Sequence, residues 1–220
     1  MKKTVKISLI LNITVAVMTV IALTMGLFGL TFVPHEEEVG GGIIIFKYFT
    51  VQANVLAGIA SCVFAVYEIK MLTGKIGVIP KWIYSLKYAS SIGVTITFLT
   101  VALYLAPISE MGYFYLFMDS NIFFHFLIPL TTFIGFVFFE HAETSFKHTL
   151  FGFIHFFIYG IVYMSLALTH IENGEIPLEY NWYLLASPDP TFTLTVIFIM
   201  CVATYLVSVL VWLLNKKIKL

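Results

Sequence analysis

Six runs of this chain are each long enough and apolar enough to fill a bilayer, which leaves little else for it to become. Crossing a hydrocarbon core of about 30 Å takes about 20 mostly apolar residues in a helix. The runs Ile7–Val33, Tyr48–Leu72, Leu86–Ala106, Asn121–Phe139, Leu150–Thr169 and Thr191–Leu214 reach that length. Only 11% of the residues are charged and 60% are hydrophobic. Soluble domains are nearer one quarter charged, so this composition cannot supply a water-facing surface. In lipid every backbone N–H and C=O must be paired internally, so each run is expected to be a helix. The connecting segments are short. Residues 1–220 therefore read as a single all-α domain, a bundle of six transmembrane helices.

The charges predict its orientation. Every basic residue is lysine. Lys2, Lys3 and Lys6 precede the first run, Lys70, Lys75, Lys81 and Lys87 surround the second connection, Lys147 lies in the fourth, and Lys216, Lys217 and Lys219 end the chain. Only Lys47 falls on the other side, which places the N- and C-termini in the cytoplasm. The basic start followed by an apolar run resembles a signal peptide. The run continues to Val33 with no small-residue cleavage pattern, so it reads as a retained first helix. Cys62 and Cys201 lie inside runs and read as small buried hydrophobes, not as a disulfide. No Asp, Glu, Lys or Arg lies near the centre of a run, which argues against an ion-coupled pump.

Polar side chains in lipid face the bundle interior, and three runs carry them as stripes. On the second, Thr50, Ala53, Asn54, Ala57, Gly58 and Ser61 share one helical face, with Val55, Ile59 and Val63 off it. Small residues of this kind make a tight helix–helix seam. Its start, with Thr50, Gln52 and Asn54, is more polar than a seam needs. On the fourth, Asn121, His125 and Thr132 share a face, and Pro129 removes the donor that would pair the His125 carbonyl. On the fifth, Gly152, His155, Tyr159 and Tyr163 form a stripe. The aromatic residues Tyr180, Trp182 and Tyr183 in the long fifth connection read as membrane-interface anchors.

Depth relates two of these stripes. The second and fourth runs cross in the same direction, and Thr50 and His125 each lie about one turn, or about 5 Å, inside their helix starts. They are expected to face one another at hydrogen-bond or one-water range. His155, near the other end of its run, is expected about 15–20 Å away in depth and makes a poor joint ligand with His125. A threonine hydroxyl becomes a nucleophile when a base takes its proton, and imidazole is the usual base. Gln52, Asn54, Asn121 and Tyr163 are nearby donors for an acyl oxyanion. On pattern alone, this ester chemistry stands beside a lipid-binding cavity with the same residues.

The run Lys47-Tyr-Phe-Thr-Val-Gln-Ala-Asn54, followed by Asn121-Ile-Phe-Phe-His125-Phe-Leu-Ile-Pro129, resembles the Pr6Pr-type bacterial membrane proteins. These are distantly similar to the animal androgen-induced-gene-1 and androgen-dependent TFPI-regulating proteins. The resemblance covers nearly the whole chain. It implies six spans with cytoplasmic termini in the cell membrane, and an intramembrane threonine hydrolase that cleaves fatty acid esters of hydroxy fatty acids. It further implies Thr50 as nucleophile and His125 as base, with Asn121 matching the pattern and Tyr159 and Tyr163 matching loosely. No metal or organic cofactor is implied. The expected partners are membrane lipids or fatty acid esters, and not nucleic acid. The competing expectation is a non-catalytic lipid or small-molecule binding or transport protein. A haem protein of the stacked type would need more than the two histidines, His125 and His155, found in the runs. Glu140, His141, Glu143 and His148 read as a solvated loop at a helix end.

Overall fold

A computed structural model describes residues 2–32, 41–140 and 144–218. The protein is a multi-pass membrane bundle of six helices: α1 (Lys2–Phe28), α2 (Phe49–Leu72), α3 (Lys81–Leu105), α4 (Ser120–Phe139), α5 (Phe146–Thr169) and α6 (Pro190–Lys217). No strand occurs among the described residues. The even number of crossings brings both termini to one end of the bundle. Ile10, Val20, Ile59, Leu103, Ile158 and Phe198 are among the large apolar side chains exposed on its outside, where lipid would meet them.

The largest departures from the sequence reading are at both ends of α1 and at the start of α3. α1 begins at Lys2 and ends at Phe28, because Gly29 turns the chain with φ +62°. The stretch to Val33 therefore does not continue the helix as far as it is described. α3 starts at Lys81, directly after Pro80, whose carbonyl accepts from Ile83 N. That earlier start sets Lys87 a turn and a half inside α3 instead of at its edge, in the core, where it is 1% exposed. Glu140, read as part of a solvated loop, is likewise buried at 2% exposure. His141 and Glu143 lie outside the described residues. Among the described residues no group of histidine, cysteine and acidic side chains is arranged to hold a metal ion.

α3 runs through the middle, touching α2, α4, α5 and α6, while α1 closes on α2 and α4. Small residues set these approaches. A Cβ on Gly58 would come within 2.7 Å of Thr19 on α1, and one on Gly152 within 2.6 Å of Ser208 on α6. The α2 stripe of Thr50, Ala53, Asn54, Ala57, Gly58 and Ser61 is buried along its length, with Ile59 outside. Cys62 sits beside the stripe on the outer face and is exposed, and Cys201 is half-buried, so neither is the buried hydrophobe expected.

α4 is irregular where its sequence demands it. Pro129 has no N–H for the carbonyl of His125. The backbone widens to π geometry over Phe123–Leu127, with His125 at its centre, and again over Gly135–Phe139. Such widened turns are frequent at functional sites.

Candidate functional site

The start of α2, the start of α4 and the connection between α5 and α6 converge at the end of the bundle opposite the termini. Two cavities meet there. The first, about 310 Å³, lies between α3, α5 and α6 and is lined by apolar side chains such as Ile96, Val101, Phe156 and Met200, together with Thr50, Tyr159 and Tyr163. The second, about 480 Å³, is more polar and is lined by Thr50, Tyr115, Asp119, Asn121, His125 and Trp182, among others. Thr50 and Tyr183 line both cavities.

Thr50 stands in the first turn of α2 and is 8% exposed. The first N–H groups of a helix have no partner within it, and they carry the positive end of its dipole. Gln52 N is the earliest in α2 to find a carbonyl, that of Tyr48. The Tyr183 phenol approaches this turn and lies against the side chain and backbone of Thr50. Its hydroxyl is buried, yet no protein group meets it with good hydrogen-bond alignment. Burial pushes this phenol above its ordinary value, opposed by the Thr50 contacts. Tyr183 therefore stays protonated at physiological pH and remains a donor.

His125 is also 8% exposed. Its Nδ1 is hydrogen-bonded to the carbonyl of Leu116 in the preceding loop. A carbonyl only accepts, so Nδ1 carries the proton and the neutral ring presents Nε2 as its basic nitrogen. The loop thus fixes the tautomer, which is the orienting role the third member of a catalytic triad plays. No direct hydrogen bond joins His125 to Thr50 among the described residues. They meet across the second cavity.

The remaining sequence candidates divide. Asn121 lines the second cavity. Asn54 lines neither; it is fully buried, and its Nδ2 donates to the carbonyls of Thr50 and Phe124 at 2.7 and 3.0 Å. It ties the start of α2 to the turn that bears His125, so it positions both residues and does not face a ligand. Gln52 turns away to the carbonyl of Phe46 and lines neither cavity. Both are therefore removed from the set of oxyanion donors. Tyr159 and Tyr163 line the apolar cavity, but their hydroxyls donate elsewhere, to Lys47 O and to Asn181 Oδ1. The His155 ring lies 5.0 Å from that of Phe49, the residue preceding Thr50, so it reaches the start of α2 and is not set about 15–20 Å away in depth as expected.

Sequence reasoning missed Tyr183, reading it as an interface anchor. The connection folds inward because Asn181 pairs with both backbone groups of Ala186 and accepts from Tyr163. Trp182 donates to the Tyr159 hydroxyl at 3.0 Å. Nothing in the spacing of Tyr183 signals this, and the burial of Asn181 that folds the loop inward is visible only in the structure. No family model matches this chain, and no curated protein and no solved structure matches it either.

Proposed function

We propose that this protein is an intramembrane carboxylic ester hydrolase that cleaves fatty acid esters of hydroxy fatty acids, with Thr50 as nucleophile and His125 as base. One observation carries the reading: Thr50 and His125 line the same cavity, and Thr50 also borders an apolar one. The apolar cavity suits the acyl chain of the ester. The more polar one suits the hydroxy fatty acid that leaves. The bacterial cell membrane and the family named above remain the expected setting.

The chemistry follows from the placement. His125 Nε2 takes the hydroxyl proton of Thr50 as Oγ attacks the ester carbonyl. Negative charge then develops on the carbonyl oxygen beside the first turn of α2, where backbone N–H groups and the Tyr183 hydroxyl are donors. Collapse expels the hydroxy fatty acid, which takes the proton back from His125, and leaves an acyl-threonine. Water, deprotonated by His125, releases the fatty acid. The absent Thr50–His125 hydrogen bond does not argue against this, since such bonds often tighten only in the substrate complex.

A non-catalytic lipid-binding or transport protein is the second reading. It is favoured by the contact of Thr50 with Tyr183 in place of His125. Purified protein separates the two. Under the hydrolase reading it cleaves a hydroxy-fatty-acid ester and is labelled by a fluorophosphonate. Thr50→Ala and His125→Ala each abolish turnover, Thr50→Ser retains part of it, and the double variant is little worse than either single one. Undiminished hydrolysis and labelling in Thr50→Ala would remove the threonine mechanism.

A further inference from the structure

Far from Thr50, at the end of the bundle that bears the termini, five segments enclose a cluster of ionisable side chains. Glu68 lies 18 residues along α2 from Thr50, about 27 Å at the helical rise. Around it lie Ser8 and Asn12 of α1, Lys87 of α3 and Glu140 just past α4, and Ser61 of α2 joins the cluster through Lys87. Glu68, Lys87 and Glu140 are 1%, 1% and 2% exposed. Lys87 Nζ donates to Asn12 Oδ1 and Ser61 Oγ, both at 2.6 Å, and lies 3.8 Å from Glu140 Oε1. The Asn12 amide nitrogen reaches Glu68 Oε2 at 3.2 Å and Glu140 Oε1 at 2.9 Å. Ser8 Oγ donates to Glu140 Oε1 at 3.4 Å.

The charges do not balance. Two carboxylates face one ammonium, and among the described residues no second cation enters the cluster. α1 contributes only Ser8 and Asn12 to it. α2 adds the Cys62 thiol near Lys87, α3 the Tyr84 phenol, and α6 the Asn215 amide on the Glu140 carbonyl. An uncompensated charge in a low-dielectric interior is costly, and like charges sharing a site cannot both ionise readily. Moreover, Glu140 Oε2 is buried with no hydrogen-bond partner. A carboxylate oxygen left so is costly if charged, whereas a protonated carboxyl concentrates less charge on it.

We propose that this cluster is a proton-binding site, in which one proton from the aqueous phase is shared between Glu68 and Glu140 while Lys87 neutralises the other carboxylate. Asn12 lies between the two carboxyl groups, so the proton resides on either without moving the helices. The proton comes from water at the terminus-bearing face and returns to it, with no other bond made or broken. The site is independent of the hydrolase reading.

Infrared difference spectroscopy of the purified full chain tests it. At neutral pH the wild type is expected to show one carboxylic-acid carbonyl band that shifts in deuterium oxide and disappears on alkaline titration. Glu68→Gln and Glu140→Gln each remove it, because the single remaining carboxylate pairs with Lys87. Lys87→Met doubles it, because both carboxyls then keep their protons. A band that survives either glutamine substitution overturns the shared proton. Should a variant fail to fold, the wild type decides alone: no such band at neutral pH overturns the site.

Discussion

The Tyr183 phenol lies against Thr50, and the two residues, with Leu105, form the wall common to both cavities. Under the proposed hydrolase reading, a residue that arrives from a loop, instead of from a helix stripe, is thus the side-chain donor expected at the reacting carbonyl. It also makes the loop part of the site, so changes at the hydroxyl and at the loop are expected to affect turnover alike.

Tyr183→Phe keeps the ring and deletes the hydroxyl. Loss of one oxyanion donor lowers kcat by about 10²–10³ in well-studied hydrolases, and a fall of about a hundredfold is expected here. KM should stay within a few-fold of wild type, because the apolar cavity is untouched. Equal losses in binding and turnover, measured by steady-state kinetics, would instead make Tyr183 a packing residue.

Below about pH 10 the profile of kcat/KM should have a single, acid limb. His125 serves as base only when its Nε2 is unprotonated, so activity rises as the imidazole loses its proton. The Tyr183 phenol, raised by burial, keeps its proton past the ordinary value of about 10. Its donor is therefore retained as pH rises to that value and lost only above it. A fall in kcat/KM well below pH 10 that disappears in Tyr183→Phe would contradict this sign.

Asn54→Ala probes the tie between α2 and α4. It deletes the donor to Thr50 O and to Phe124 O. The buried Phe124 carbonyl loses a partner, at about 1–3 kcal/mol. Thermal unfolding in detergent should report that loss. Activity should fall by more than a bundle that remains folded at the assay temperature would explain, because Thr50 and His125 lose their common support.

Orientation is tested with single cysteines in a variant lacking Cys62 and Cys201. Positions 75 and 175 are both exposed, in connections at opposite ends of the bundle. Eleven of the twelve lysines fall on the predicted cytoplasmic side. A membrane-impermeant thiol reagent on intact cells should therefore label position 175 and spare position 75. The reverse pattern would place Thr50 and His125 in the cytoplasmic leaflet.

Helix number and interior faces were legible because both are periodic. The α2 stripe repeats with the turn of the helix, and its six residues are the ones that α1, α3 and α4 close upon. The exposure of Cys62 was legible too in hindsight, since it neighbours Ile59 on the lipid side of the same wheel. What period could not show is which chain-distant residues share an interior. Lys87 and Glu140 read as ordinary charges at helix ends, and nothing in the pattern singled out Glu68; only the crossing of α1 between them makes a cluster. Gln52 fails for a similar reason, since a residue two from Thr50 on a helix points elsewhere. Tyr183 depends on an irregular loop, for which sequence carries no period at all.

Lys87 also constrains the order in which the bundle assembles. While α3 stands alone in the membrane, a lysine six residues inside its start can extend its stem and keep the ammonium among the headgroups. Its final position lies among Asn12, Ser61 and Glu140, which three other helices supply. Two of these are synthesised before α3 and one after it. Until α4 has been inserted the pocket of Lys87 lacks the wall that Glu140 supplies, and the first three helices form a half-closed intermediate. A chain truncated before Ser120 should leave Lys87 open to amine reagents, whereas the full chain protects it.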